Sequence, residues 1–334
     1  MGLENRPVML RMMEKVQADA AASGSARVQI DALLNLGIAY NRNARRPEAL
    51  AKYREAEAVY RDSGLVDPRM LARIDRLIAV DLTNLDRPTE AIIHIERAHA
   101  VHLRESGPIA QDTVDCLDVY LVLLNTLERG AEGVRVTQPS FDALSREFSV
   151  PTQRRTQIMA SHAFALKLGG KLDQAEAVVR ESLRLEEALY GPKHKSLTPT
   201  LSKLMSILRD QGRYAEAAVT AERALAIGRA SLPANHPALL FAMQNAARVA
   251  LQAAKLARAR SLIDEALDSQ RAIGRFDTGT ALWGRAVRVE VLVAQGEIAA
   301  ARSELATLEP LSGTLSARER ANLQDIRKRL DAAP

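Results

Sequence analysis

Six histidines and one cysteine are the residues of this 334-residue chain that could do catalytic or metal chemistry. His94, His99 and His102 fall in one predicted helix, and His99 and His102, three apart, can share a helical face. A catalytic zinc takes three protein ligands, and no nearby cysteine completes a set. These histidines therefore read as solvated or packed between helices. His194 and His236 lie in loop segments and read as packing or capping residues. Cys116 stands beside Leu117 and Tyr120 and pairs with no histidine in any motif, so it reads as a buried structural thiol. No phosphate-binding glycine loop, dinucleotide fingerprint, GxSxG or HExxH occurs. The sequence thus implies no enzyme and no cofactor.

Composition points to helices. Hydrophobic residues make up 47% of the chain, charged residues 26% and aromatics only 4%. Alanine, leucine and arginine dominate, all strong helix formers, and no alternating β-branched runs appear. The net charge of +5 is a weak excess over this length, without a basic tail or cluster, so the sequence shows no nucleic-acid footprint. A single cysteine excludes a disulfide within the chain and fits a reducing cytoplasm. The N-terminal MGLENRPVMLRMMEKVQ lacks an apolar signal core, and VYLVLL (119–124) is far too short to span a bilayer. A soluble cytoplasmic protein is expected.

These residues must be positioned by a repeat. "GRYAEAA" at 212–218 has a counterpart in "GKLDQAE" at 170–176. Stepping by 42 gives Ala49, Ala91, Gly133, Ala175, Ala217, Ala259 and Ala301, seven small residues without an insertion. Four residues further on stand Tyr53, Ile95, Thr137, Val179, Ala221, Ile263 and Leu305. Seven further on stand Ala56, Ala98, Ser140, Ser182, Ala224, Ala266 and Leu308. A second amphipathic stretch precedes each anchor, and short breaks such as "NLDRP", "LGGK" and "DQGR" separate the two. Each repeat reads as helix A, a tight turn and helix B. One hairpin buries too little alone, whereas stacked hairpins share a continuous core. Small residues at the crossing let backbones approach closely.

This pattern resembles the tetratricopeptide repeat. Leu33, Leu36, Gly37, Tyr40, Ala49, Tyr53 and Ala56 match the family's spacing, and the 42-residue period resembles the kinesin-light-chain-like subfamily. The segments "YGPKHKSL" (190–197) and "LPANHPAL" (232–239) resemble that subfamily's linker, with His194 and His236 again 42 apart. The resemblance implies an all-α fold, a right-handed α-solenoid of about seven helix-turn-helix repeats over residues 26–309. Residues 1–25 would be an N-terminal cap or linker and 310–334 a C-terminal capping helix. The third repeat is degenerate. Pro139 stands within its helix B, where a proline costs about 3 kcal/mol, so this helix is expected to break or to start late, around "PSFDALSREF". Such a repeat is either a worn one held by its neighbours or a hinge.

The resemblance further implies a protein or peptide partner held on a concave face lined by helix A. Carried over by position, the groove residues are Asn35 and Arg42 in repeat one, Arg73 and Arg76 in repeat two, and Asp118 and Asn125 in repeat three. Ser161 and Phe164 follow in repeat four, Lys203 and Arg209 in repeat five, and Phe241, Gln244, Asn245 and Arg248 in repeat six. Asn35 and Asn245 stand where the family uses an amide to hold an extended peptide. The basic stretches flank an acidic middle, a pattern that selects partners by charge. The family association points to bacterial signalling. A ligand-gated sensor of a larger kinase or transcription regulator, and a scaffold that forms homo-oligomers, stay open as alternatives.

Overall fold

The repeated apolar pattern becomes helices throughout. The computed structural model describes residues 6–43, 45–147, 149–150, 152–277, 279–314 and 317–331; among these it holds sixteen α-helices and no strand. They divide into two compact halves, residues 1–171 and 172–334. The N-terminal half contains α1 (Arg6–Ala22), α2 (Ala26–Arg42), α3 (Arg46–Asp62), α4 (Pro68–Asn84), α5 (Pro88–Ser106), α6 (Gln111–Thr126), α7 (Gly133–Ala143) and α8 (Thr152–Leu168). The C-terminal half contains α9 (Leu172–Tyr190), α10 (Thr198–Asp210), α11 (Tyr214–Ser231), α12 (Pro237–Gln252), α13 (Leu256–Ala272), α14 (Gly279–Ala294), α15 (Ile298–Leu308) and α16 (Ala317–Asp331).

One turn closes every hairpin. The backbone N–H groups of Arg45, Arg87, Arg129, Lys171, Arg213, Lys255 and Glu297 donate to the carbonyls of Tyr40, Leu82, Leu124, Leu166, Leu208, Ala250 and Leu292, at 2.7–3.0 Å. Both sets recur at 42 residues. This bond to the carbonyl five residues back, the 6→1 bond of the Schellman closure, needs a left-handed residue just before the donor. Asp86, Glu128, Gly170, Gly212, Ala254 and Gly296 fill that place with φ between 56° and 79°; Ala44 lies outside the described residues. The donor also starts helix B, and four of its arginines reach three residues on to a glutamate: Arg45–Glu48, Arg87–Glu90, Arg129–Glu132 and Arg213–Glu216. These pairs are largely exposed and contribute little to stability.

All the anchor positions, and those four and seven residues beyond them, are buried. In the first repeat Gly37 lies under Tyr53, and a Cβ at position 37 would overlap that ring. In the N-terminal half a continuous core runs from Ile30 on α2 to Ala165 on α8. α1 packs on α2 with Leu10 and Met13 against that core, and Tyr40 donates its hydroxyl hydrogen bond to Glu14 at 2.9 Å. α16 buries Leu323, Ile326 and Leu330 and exposes Arg327, Lys328 and Arg329.

The third repeat differs from the expectation. α7 does not start at Pro139 but runs through it, from Gly133 to Ala143, after a 3₁₀ turn at Gly130–Glu132. Pro139 and Arg135 are both exposed. A proline four residues on cannot serve the carbonyl of Arg135, and the lost hydrogen bond falls on the exposed side of the helix. What the repeat loses is length: α7 has 11 residues where α5 and α9 have 19.

The turn makes a test. Ala254 holds φ 56°, which costs a residue with a Cβ about 1–2 kcal/mol. Ala254→Gly should raise the unfolding free energy of the C-terminal half by about 1 kcal/mol, and Gly212→Ala should lower it by a similar amount. Urea denaturation followed by circular dichroism measures both. Unchanged midpoints would refute the shared turn.

Candidate functional site

The C-terminal half opens a cleft of about 820 Å³ on the face formed by its A helices. Arg209 and Asp210 come from the end of α10, Arg248 and Gln252 from α12, Trp283 and Glu290 from α14, and Asn322 from α16, while Tyr214 from the first turn of α11 closes one edge. Arg209 donates to Asp210 at 2.8 and 3.1 Å, and Asn322 donates to Glu290 at 2.6 Å. Arg248 is half-buried and has no hydrogen-bond or ion-pair partner among the described residues. Phe241 is half exposed and lies with its ring centroid 5.7 Å from that of Trp283. The cleft thus offers an unpaired guanidinium beside an indole, with acceptors at both ends.

The other expected groove residues of this half divide. Lys203 is half-buried on α10. Asn245 turns its amide back onto its own helix, donating to the carbonyl of Phe241 at 2.9 Å. Gln244 is a correction: it is fully buried and donates to Gln270 at 3.0 Å, away from any groove. Glycine at position 284 makes the room, because a Cβ there would come within 2.5 Å of the Gln244 amide nitrogen. Asp210, Tyr214, Gln252 and Asn322 were not among the expected residues. Carrying the row of A helices past the seventh repeat would have brought in Asn322, since α16 packs on both α14 and α15.

In the N-terminal half the expected residues are mostly engaged with one another across repeats. Arg73 donates to Asp31 at 3.1 Å, 42 residues away. Ser161, expected in the groove, is instead buried, and its hydroxyl donates to Asp118 at 2.8 Å. The reason is again spacing, because residues 42 or 43 apart stand side by side on neighbouring A helices. Arg154 and Gln111 repeat the pattern at 3.0 Å. Phe164 packs against the core with the Lys167 ammonium 6.0 Å above its ring. Asn35, Arg42 and Asn125 are exposed. Arg76 is half-buried without a partner among the described residues.

The histidines are spread over structural tasks. His194 accepts from the Ser196 N–H and His236 from the Ala238 N–H, so each caps a helix start. His94 meets buried Asp75 at 2.6 Å, and potential ligand atoms of Glu57, Asp75 and His94 lie within 4.8 Å of one another. The Arg97 guanidinium already donates to the same Asp75 oxygen at 2.6 Å and supplies the cation there. His99 is buried edge-on to Tyr120, with its Nε2 lacking a partner. His162 is buried between Phe141, which stacks on it at 4.1 Å, and the Thr137 hydroxyl at 2.8 Å. Burial pushes the pKa of both His99 and His162 down to about 4. Cys116 is fully buried, and burial raises its thiol to about 12, where it is no nucleophile.

The fold and cleft define a protein built of stacked helix hairpins with a ligand-sized hollow on the A-helix face. Residues 196–272, which span α10 to α13, match the family model described as tetratricopeptide repeat; that segment carries tetratricopeptide repeats, and the same closing turn recurs in the hairpins outside it. Over 94 residues the chain is 30% identical to human tetratricopeptide repeat protein 19, mitochondrial. That match covers 28% of this chain and 24% of the relative, so the chain spans about a quarter of that protein's length. Among solved structures, the apo form of the quorum sensor NprR from B. thuringiensis is similar at a TM-score of 0.66 and 13% identity, over 92% of this chain and 83% of that one. NprR in complex with its cognate peptide NprX is similar at 0.56 and 14%, over 88% and 80%. At these identities the likeness is one of fold. No helix among the described residues is long and apolar enough to cross a membrane.

Acid tests the buried imidazoles. The folded pKa of His99 and of His162 lies below the ordinary 6.5, so only the unfolded chain takes up these protons as pH falls. Stability is full above about pH 6.5 and declines towards pH 4, by up to about 1.4 kcal/mol per pH unit for each imidazole. His99→Phe keeps a ring against Tyr120 and removes one of the two. The variant should lose less stability than the wild type between about pH 6.5 and 4.5. Parallel decline of both proteins in denaturation series would count against the assignment.

Proposed function

We propose that the chain is a non-catalytic binding module that holds a peptide segment of a protein partner in the cleft of its C-terminal half, in a cytoplasmic signalling or regulatory setting. The observation that carries the reading is Arg248, a half-buried cation without a partner, set beside Trp283 in a cleft of about 820 Å³. A cleft of this size suits a few residues of chain. An acidic side chain would satisfy Arg248, and an apolar neighbour would lie on the Trp283 and Phe241 rings. Asn322 and Gln252 offer amides to the peptide backbone. The fold neighbour NprR, solved with its cognate peptide, supports a peptide over a small metabolite.

Trp283 is the only tryptophan, so its fluorescence reports on the cleft alone. Peptides pairing Asp or Glu with Leu or Phe should change that emission saturably. Arg248→Glu, checked for helicity, should weaken binding about tenfold or more, equivalent to at least about 1.4 kcal/mol. Equal affinity for wild type and variant would remove the cleft from the mechanism.

A further inference from the structure

The N-terminal half contains a smaller cavity, of about 230 Å³, on the exposed side of α4. Arg69, Arg73 and Arg76 line it together. Their spacing of four and then three residues puts all three on one face of the helix. His102 of α5 lines the same cavity, with Asp67 and Asp112 at its rim.

Three guanidiniums on one helix face repel each other, so their arrangement needs compensation. Two have it. Arg69 donates to the carbonyl of Glu105 at 2.7 Å, and Arg73 to Asp31 at 3.1 Å. Arg76 has none among the described residues; Asp118, 42 residues on, accepts from the Ser161 hydroxyl at 2.8 Å. Asp67 does not serve it either, since it accepts from the Met70 N–H at 3.1 Å and from Arg27 at 3.2 Å. His102 is 2% exposed, and its Nδ1 has no partner. An unpaired buried polar atom is destabilising. It belongs to a residue that lines the cavity together with Arg76, which has no partner among the described residues.

We propose that this cavity binds a phosphate monoester, with Arg76 and its two neighbours on the phosphate oxygens and His102 at the floor. The volume is below the roughly 300–1,000 Å³ of pockets for drug-sized ligands, and it fits one small anionic group. A carboxylate presents two oxygens and one charge, which engages a single fork. A phosphate presents three oxygens and about −1.5 to −2 charges, enough for several guanidiniums. The site stands apart from the peptide cleft and does not depend on that reading.

The test follows the imidazole signals of the six histidines by long-range 1H–15N NMR while O-phosphoserine is added to the full chain. The His102 signals should shift saturably, with those of His236 unmoved. Serine should have no effect, and glutamate should bind at least about tenfold more weakly than phosphoserine. Arg76→Gln should weaken phosphoserine binding by about tenfold or more, whereas Arg135→Gln, on an exposed side chain of α7, should leave it unchanged. Inorganic phosphate and a phosphoserine peptide separate the sources. Equal affinity assigns the site to a free phosphate compound, and tighter peptide binding assigns it to a phosphorylated protein. No saturable shift, an equal response to glutamate, or an unaltered response in Arg76→Gln would overturn the proposal; circular dichroism confirms that the variants are folded.

Discussion

The crossing of helix A over helix B depends on side-chain volume at a single small patch, and the repeat follows from it. Where helix B brings a large ring, as Tyr53, helix A supplies Gly37 beneath it. Where helix B starts with Gly133, the opposing Leu121 side chain enters the space, with Ala165 beside it. Bulk lost on one side is regained on the other, which keeps the interior close-packed. A hairpin with leucine at the anchor would hold its helices apart and could not stack at the same spacing. This is why an alanine-rich stretch serves as core here.

The closing turn turns this local rule into a long-range one. Because each hairpin closes on the same six-residue turn, helix B keeps the same register on helix A even where helix B is short, and the longer segment between α7 and α8 makes up the 42 residues. The third repeat shows it. α7 is truncated and contains a proline, yet the Arg129 N–H still reaches the Leu124 carbonyl at 2.7 Å. The turn tolerates Asp86, Glu128 and Ala254 at a left-handed position that glycine fills elsewhere, so its geometry is imposed by the hairpin and not only by residue choice.

The buried side of the fold was legible because it depends on size and period, and both are written in the sequence. The anchors, their companions and the capping histidines all followed from the 42-residue step. The polar side was not, because it depends on which of two neighbours a side chain selects. Asn245 could have faced a peptide but bonds its own helix. Gln244 turns inward only because residue 284 lacks a Cβ. Pro139 signalled a break, but a helix tolerates the lost hydrogen bond where it falls on the exposed side. Asn322 was hidden because a terminal helix was read as a cap when it also extends the row.

The same step accounts for both free cations. Residues 42 apart on neighbouring A helices are side by side, so an arginine on one is offered the side chains 42 positions before and after it. Arg73 takes that offer with Asp31. Arg76 would meet Asp118, but Asp118 accepts from Ser161 on the far side. Arg248 would meet Glu290, but Glu290 accepts from Asn322 on α16. In each case a neutral hydrogen-bond donor on the next A helix engages one oxygen of the carboxylate, and the arginine is half-buried with no partner among the described residues. A half-buried guanidinium gains more from an incoming anion than one already in an ion pair, since no existing bond must be broken first. A stack whose carboxylates bond sideways to neutral donors therefore keeps on its A-helix face cations that an incoming anion can engage.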